Sequence, residues 1–162
     1  MHDEPKIILS LFDASGSWSD PYRQAGYHVV QVDIKLGTSV LDITQGWLSR
    51  HVLKFGRVHG VLAAPPCTHF SSSGAQYWKV KDLDGRTKEA VELVRVTLRI
   101  IQLLDPTWWV LENPVGRIQQ LVPELKAFGP WFFQPWQFGA WLQPGEKSLD
   151  WGPMPAQDAY TK

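Results

Sequence analysis

Four short hydrophobic runs alternate with stretches of helical period over most of the chain. Residues 6–12 (KIILSLF) are almost continuously apolar and stop at Asp13-Ala14-Ser15-Gly16-Ser17. A run of that length closed by turn residues predicts a buried strand of a parallel sheet. Asp20-Pro21 opens a short helix that stops near Gly26, since Pro suits the first helical turn. Residues 27–34 (YHVVQVDI) predict a second strand with Asp33 at its carboxyl end. Asp42-Ile43-Thr44 precedes another helix, through Trp47 to Leu53. Residues 57–64 (RVHGVLAA) read as a third strand, broken off by Pro65-Pro66.

A polar stretch (68–74) and a mixed-charge one (78–86) follow, and residues 87–104 are then the clearest helix. Val91, Val94, Leu98, Ile101 and Leu104 form one stripe, widened by Val96, Ile100 and Leu103, so this helix is expected to pack on a sheet. Asp105-Pro106 ends it, and residues 107–111 (TWWVL) predict a fourth strand running into Glu112-Asn113-Pro114. The fourfold alternation predicts an α/β layer with a mainly parallel sheet and right-handed crossovers. Ligands of such sheets sit beyond the carboxyl ends of the strands. The residues at those four ends are therefore expected to converge on one rim. Past Gly129 the chain turns aromatic and Pro-rich (GPWFFQPWQFGAWLQPG), with Trp131, Trp136 and Trp141 read as cover for the last sheet edge. No repeat or linker interrupts the chain, so residues 1–162 read as a single domain.

Composition narrows the class. With 162 residues, 44% apolar and 20% charged, a packed core is expected and general disorder is excluded. Sixteen basic and sixteen acidic residues cancel, so the chain is no generic polycation that coats nucleic acid. Residues 78–99 hold six basic against four acidic residues, which reads as a solvated helix face. No apolar run approaches the roughly 20 residues of a membrane span, and the amino terminus is unlike a signal peptide. A single cysteine leaves no intramolecular disulfide and no thiolate zinc cage, and Cys67-x-His69 has no further ligand pair, so no metal is expected. A reducing cytoplasm is the expected compartment.

The chemistry lies at the strand ends. A free cysteine is commonly a core occupant, but Cys67 follows two strand-breaking prolines and precedes a polar Thr-His-Phe-Ser-Ser-Ser loop. That is a rim position, where a thiolate is a natural nucleophile for an electron-poor ring carbon. Glu112 follows two tryptophans, surroundings that raise a carboxyl pKa. Asp33 has the position of the acid that grips a ribose hydroxyl in nucleotide-binding folds. Asp42 and Ile43 fit equally a helix N-cap region.

Taken in order, Phe12-Asp13-x-Ser15-Gly16, Pro65-Pro66-Cys67 and Glu112-Asn113-Pro114 resemble the motifs of the DNA cytosine-C5 methyltransferases. The versions PPCTHFS and ENPVGR are similar to compact phage-encoded members. The resemblance covers residues 6–139 and returns at the end of the chain. It implies a Rossmann-like class I methyltransferase fold, incomplete at the C-terminal edge of its sheet, and a cytoplasmic enzyme (in a bacterial host, if phage-encoded). It further implies S-adenosylmethionine as cofactor and DNA as partner, single strands being the easier substrate. Under it, Cys67 adds to carbon-6 of cytosine, Glu112 hydrogen-bonds or protonates ring N3, and Asn113 braces Glu112. Phe12, Asp13, Ser15, Gly16, Asp33, Asp42, Ile43 and Pro65 are the implied cofactor-binding set.

Two departures stand out. Ser15 and Ser17 occupy positions where the family is richer in glycine, and the chain has no room for a target-recognition domain. Residues 133–139 and 158–162 look like two halves of one family segment split by an unfamiliar stretch, 140–157. A missing C-terminal segment or a second subunit is therefore expected, with the isolated chain weak or inactive. Two other readings share the features: an enzyme modifying free pyrimidine nucleotides through the same cysteine, and a non-catalytic methyltransferase-like binding module.

Overall fold

The strand-like runs pair as one all-parallel sheet. β1 (Ile7–Leu11), β2 (His28–Val32), β3 (Val58–Ala63) and β4 (Trp108–Leu111) lie in the order β2-β1-β3-β4. The computed structural model describes residues 6–131 and the strands β5 (Lys147–Ser148) and β6 (Gly152–Pro153). Two units divide the chain, Met1–Glu124 and Leu125–Lys162. The first holds the four-stranded sheet; the second holds the antiparallel pair β5–β6. The segments read as two halves of a family motif, and Trp136 and Trp141, lie outside the described residues. Trp131 is within them and is exposed.

Every residue of β1 is buried, as its unbroken apolar run requires. β2 is mostly half-buried, in keeping with its place at the sheet edge. Between the strands run α1 (Asp20–Gln24), α2 (Gln45–His51), α3 (Trp78–Leu83) and α4 (Arg86–Leu104), and α5 (Ile118–Leu121) follows β4. Ile7, Leu9 and Leu11 of β1 and Val61 and Ala63 of β3 share a core with Leu48 and Val52 near α2. Val96, Ile100, Ile101 and Leu104 of α4 complete it. Leu103 departs from the expected stripe: it is exposed, since the rotation from Leu104 carries it to the margin of the apolar side in the last turn. The cap of α2 is Thr44, whose Oγ1 accepts from the Trp47 amide at 3.1 Å; Asp42 ends a separate 3₁₀ turn, Val40–Asp42.

β1 has β2 on one side and β3 on the other, so the winding reverses between β1 and β3. Crevices at such switch points are where open α/β sheets bind ligands. The strand ends are level, with Leu11 opposite both Val32 and Ala63, and Ala63 opposite Leu111. The ladder continues one step beyond. Phe12 N donates to Val32 O at 2.8 Å, Ala64 N to Leu11 O at 3.3 Å and Glu112 N to Ala63 O at 2.9 Å. At about 4.8 Å per strand, the rim from β2 to β4 spans about 14 Å.

Candidate functional site

On the β1 side the chain leaves the sheet through Phe12, which takes the left-handed conformation at φ +63°. An aromatic residue there costs about 1–2 kcal/mol, and the surrounding loop holds it. Asp13, buried, accepts at Oδ2 from Ser10 Oγ (2.9 Å), Ser19 Oγ (2.7 Å) and Ser19 N (3.2 Å). Burial pushes its carboxyl up, but the hydrogen bonds from Ser19 and Ser10 outweigh it and the pKa ends below the usual value. Asp13 thus shapes the loop through its own side chain. Its carbonyl accepts from Gln31 Nε2 at 2.8 Å, tying the loop to β2. Gly16, at φ +76°, comes so close to Gln31 that a Cβ would meet Nε2 at 2.9 Å. Ser15 is exposed at the tip.

Asp33 follows β2 in the neighbouring position and is half-buried. One carboxylate oxygen accepts from the Lys35 amide at 2.8 Å, which fixes its orientation. Ile34 and Leu36 stand exposed beside it, at 75% and 52%. Asp42 is exposed, whereas the Ile43 side chain joins the hydrophobic core. The structure therefore brings Phe12, Asp13, Ser15, Gly16 and Asp33 to adjacent strand ends and turns Ile43 inward.

Across the switch point, two loops are sewn together. Pro65 is buried, and Cys67 begins a 3₁₀ turn, Cys67–His69, whose carbonyl accepts from the Phe70 and Ser71 amides at 2.9 Å each. Cys67 is half-buried and its thiol is free. From the loop after β4, Asn113 Nδ2 donates to Pro65 O at 3.0 Å. Ser72 donates to Val115 O through both its amide (3.3 Å) and its hydroxyl (3.1 Å). Ser71 and Gly116 form an antiparallel bridge, and Arg117 N donates to Phe70 O at 2.9 Å. This crossing needs glycine, because a Cβ on Gly116 would collide with the Phe70 carbonyl. Cys67 and Glu112 are thereby set on neighbouring strand ends and held in one mutual arrangement.

Electrostatics favour proton handling on this side. Glu112 is open to solvent along part of its side chain, yet the protein packed around its carboxyl raises the pKa above the ordinary value. His69 is driven the other way: burial first, and then Lys81, Arg86 and Arg117, lower its pKa below the ordinary value. Its Nδ1, with Trp78 Nε1 and Asn113 Oδ1, is buried without a hydrogen-bond partner. Beneath them lies Arg117, a residue that sequence reading passed over. It belongs to the ENPVGR run, but its partner Asp82 is 35 residues away, and no local pattern signals such a pair.

Among the described residues, no group of three or more His, Cys, Asp or Glu side chains is arranged to hold a metal ion. Among the same residues, no helix is long and apolar enough to cross a membrane. Compared with known proteins, the chain matches no family model and no curated protein.

Proposed function

We propose that this protein is an S-adenosylmethionine-dependent methyltransferase acting on carbon-5 of cytosine in DNA, with a class I methyltransferase fold. The observation that carries the reading is the pair of sewn loops, which present a thiol and a carboxyl of raised pKa at adjacent strand ends beside the switch point. Carbon-5 of cytosine is a poor nucleophile until a group adds at carbon-6. Cys67 supplies that addition as thiolate, and a protonated Glu112 hydrogen-bonds N3, drawing electron density from carbon-6 as the C–S bond forms. Asn113, through Pro65 O, keeps the two groups in step. Carbon-5, made nucleophilic by the addition, would take the donor's methyl group as the donor leaves as a thioether; passing the carbon-5 proton to water then expels the Cys67 thiolate and restores the aromatic ring.

The other half of the rim fits the methyl donor. The turn at Gly16, closed on Gln31, and the left-handed, half-buried Phe12, packed against the core, shape the end of β1, and Asp33 stands on the next strand with a carboxylate suited to ribose hydroxyls. S-adenosylmethionine supplies an electrophilic methyl group when bound. Asp13 contributes by holding the loop, and Ser15 and Pro65 by their backbone positions.

Cytosine replaced by 5-fluorocytosine tests the reading, because fluorine cannot leave as the proton does and the Cys67 adduct accumulates. An oligonucleotide carrying it, with S-adenosylmethionine present, should form a covalent complex with wild type and none with Cys67→Ser. A wild-type protein that binds neither the cofactor at millimolar concentration nor the oligonucleotide covalently refutes the proposal.

A further inference from the structure

Resting on that reading, we infer that Arg117 is the positioning residue of the site: one guanidinium holds the Cys67 turn against the Glu112 loop and pins the helix that follows. Arg117 is 7% exposed. Its Nε donates to His69 O at 3.0 Å, inside the turn that Cys67 opens. Nη1 and Nη2 donate to the two carboxylate oxygens of Asp82 at 2.8 Å each, and Nη2 also reaches Thr87 Oγ1 at 3.1 Å. The guanidinium lies over the Trp78 ring, 4.5 Å from its centroid. Its backbone amide adds the bond to Phe70 O. Four segments thus meet on one side chain: the Cys67 turn, α3, the start of α4 and the loop after β4.

α3 buries no residue of its own. It is attached by Trp78 under the guanidinium, by Asp82 on its fork and by Lys81 Nζ donating to Thr68 O, next to Cys67. An ion pair buried only on its Arg117 side, with Asp82 exposed, contributes little net stability. What a planar fork supplies is direction, since only one arrangement of the loops satisfies every bond together. The hydrogen bond from Arg117 holds the Asp82 carboxyl down at about 2, so the pair stays ionised through any ordinary assay.

The test compares wild type with Arg117→Lys, which keeps the charge but not the fork, and Asp82→Asn, which weakens the exposed partner. Three quantities are read on the full chain: affinity for S-adenosylhomocysteine, the rate of 5-fluorocytosine adduct formation at saturating oligonucleotide, and amide hydrogen exchange. Each variant should keep cofactor affinity within twofold and lose about 100-fold in adduct rate for a displacement near 1 Å. Exchange should quicken in 67–72 and 78–83 while β1 and β3 stay protected. An unchanged adduct rate in a folded variant, or exchange that quickens evenly over the whole sheet, overturns the inference. Should Arg117→Lys fail to fold, Asp82→Asn carries the comparison. Should wild type itself form no adduct, the methyltransferase reading falls, and hydrogen exchange alone decides whether Arg117 positions the Cys67 turn.

Discussion

Adding one methyl group at Gly116 should disable chemistry while leaving cofactor binding intact. A Cβ there lies 2.8 Å from the Phe70 carbonyl carbon and closer still to its oxygen, where real Cβ contacts stay beyond 3.0 Å. The two loops must part by about 1 Å to admit it. The Arg117 N to Phe70 O bond, now 2.9 Å, would stretch beyond hydrogen-bonding range. Losing it costs about 0.5–1.5 kcal/mol, and the overpacking about 1–3 kcal/mol more. Against a typical 5–15 kcal/mol of total stability, Gly116→Ala still folds. A shift of 1 Å between Cys67 and Glu112, however, should slow adduct formation about 100-fold, or about 2.7 kcal/mol of barrier. Phe12, Gly16 and Asp33 are tied through β1 and β2, so S-adenosylhomocysteine should bind as before. Gly60→Ala is the control: its Cβ would meet Trp108 Cη2 at 2.6 Å, well below the rim. It should lower the melting temperature comparably and leave the adduct rate of folded protein unaltered. A Gly116→Ala protein that is folded and forms adduct at the wild-type rate would refute the idea that the loop crossing sets the site.

Glu112→Gln should slow adduct formation strongly and, at neutral pH, stabilise the fold. The Glu112 pKa is raised in the fold, so its contribution is fully present below the unfolded value near 4.5 and is lost as pH rises through the folded one. Melting temperatures from pH 4 to 8 should therefore fall relative to Glu112→Gln as pH rises; a constant difference would contradict the assignment. Phe12→Gly relieves about 1–2 kcal/mol of left-handed strain but removes a ring packed against the core, an opposing loss, and titration calorimetry should show at least tenfold weaker S-adenosylhomocysteine binding by the folded variant. Asp33→Ala should weaken the same ligand; unchanged heats in both variants would remove the cofactor from this rim. Tritiated methyl transfer should favour single-stranded over duplex oligonucleotides, since flipping a paired base costs a few kcal/mol and a formally neutral chain offers little phosphate attraction. Faster turnover on duplex would count against that account.

The four strands, the long helix and the turns between them were legible in the sequence because each is a local matter. A run such as KIILSLF can bury both faces only as a central strand, and the 3.6-residue period of 87–104 specifies one apolar side whatever it packs on. The residues at the strand ends were legible for the same reason, since a parallel sheet puts all its carboxyl ends on one edge. What only the tertiary structure decided is how those ends are held. Leu103, expected on the apolar stripe, is exposed, and Ile43, implied as a cofactor contact or fitting a helix N-cap region, packs in the core, because helix rotation and the 3₁₀ turn at Val40–Asp42 are set by packing. Asp13 is the post around which its loop is wound, through serines three before and six after it. Arg117 and Asp82 meet across 35 residues, and Gly116 needs its missing side chain for a carbonyl 46 positions upstream. Such pairs are chosen by where the sheet brings two loops together, and no periodicity along the chain encodes that.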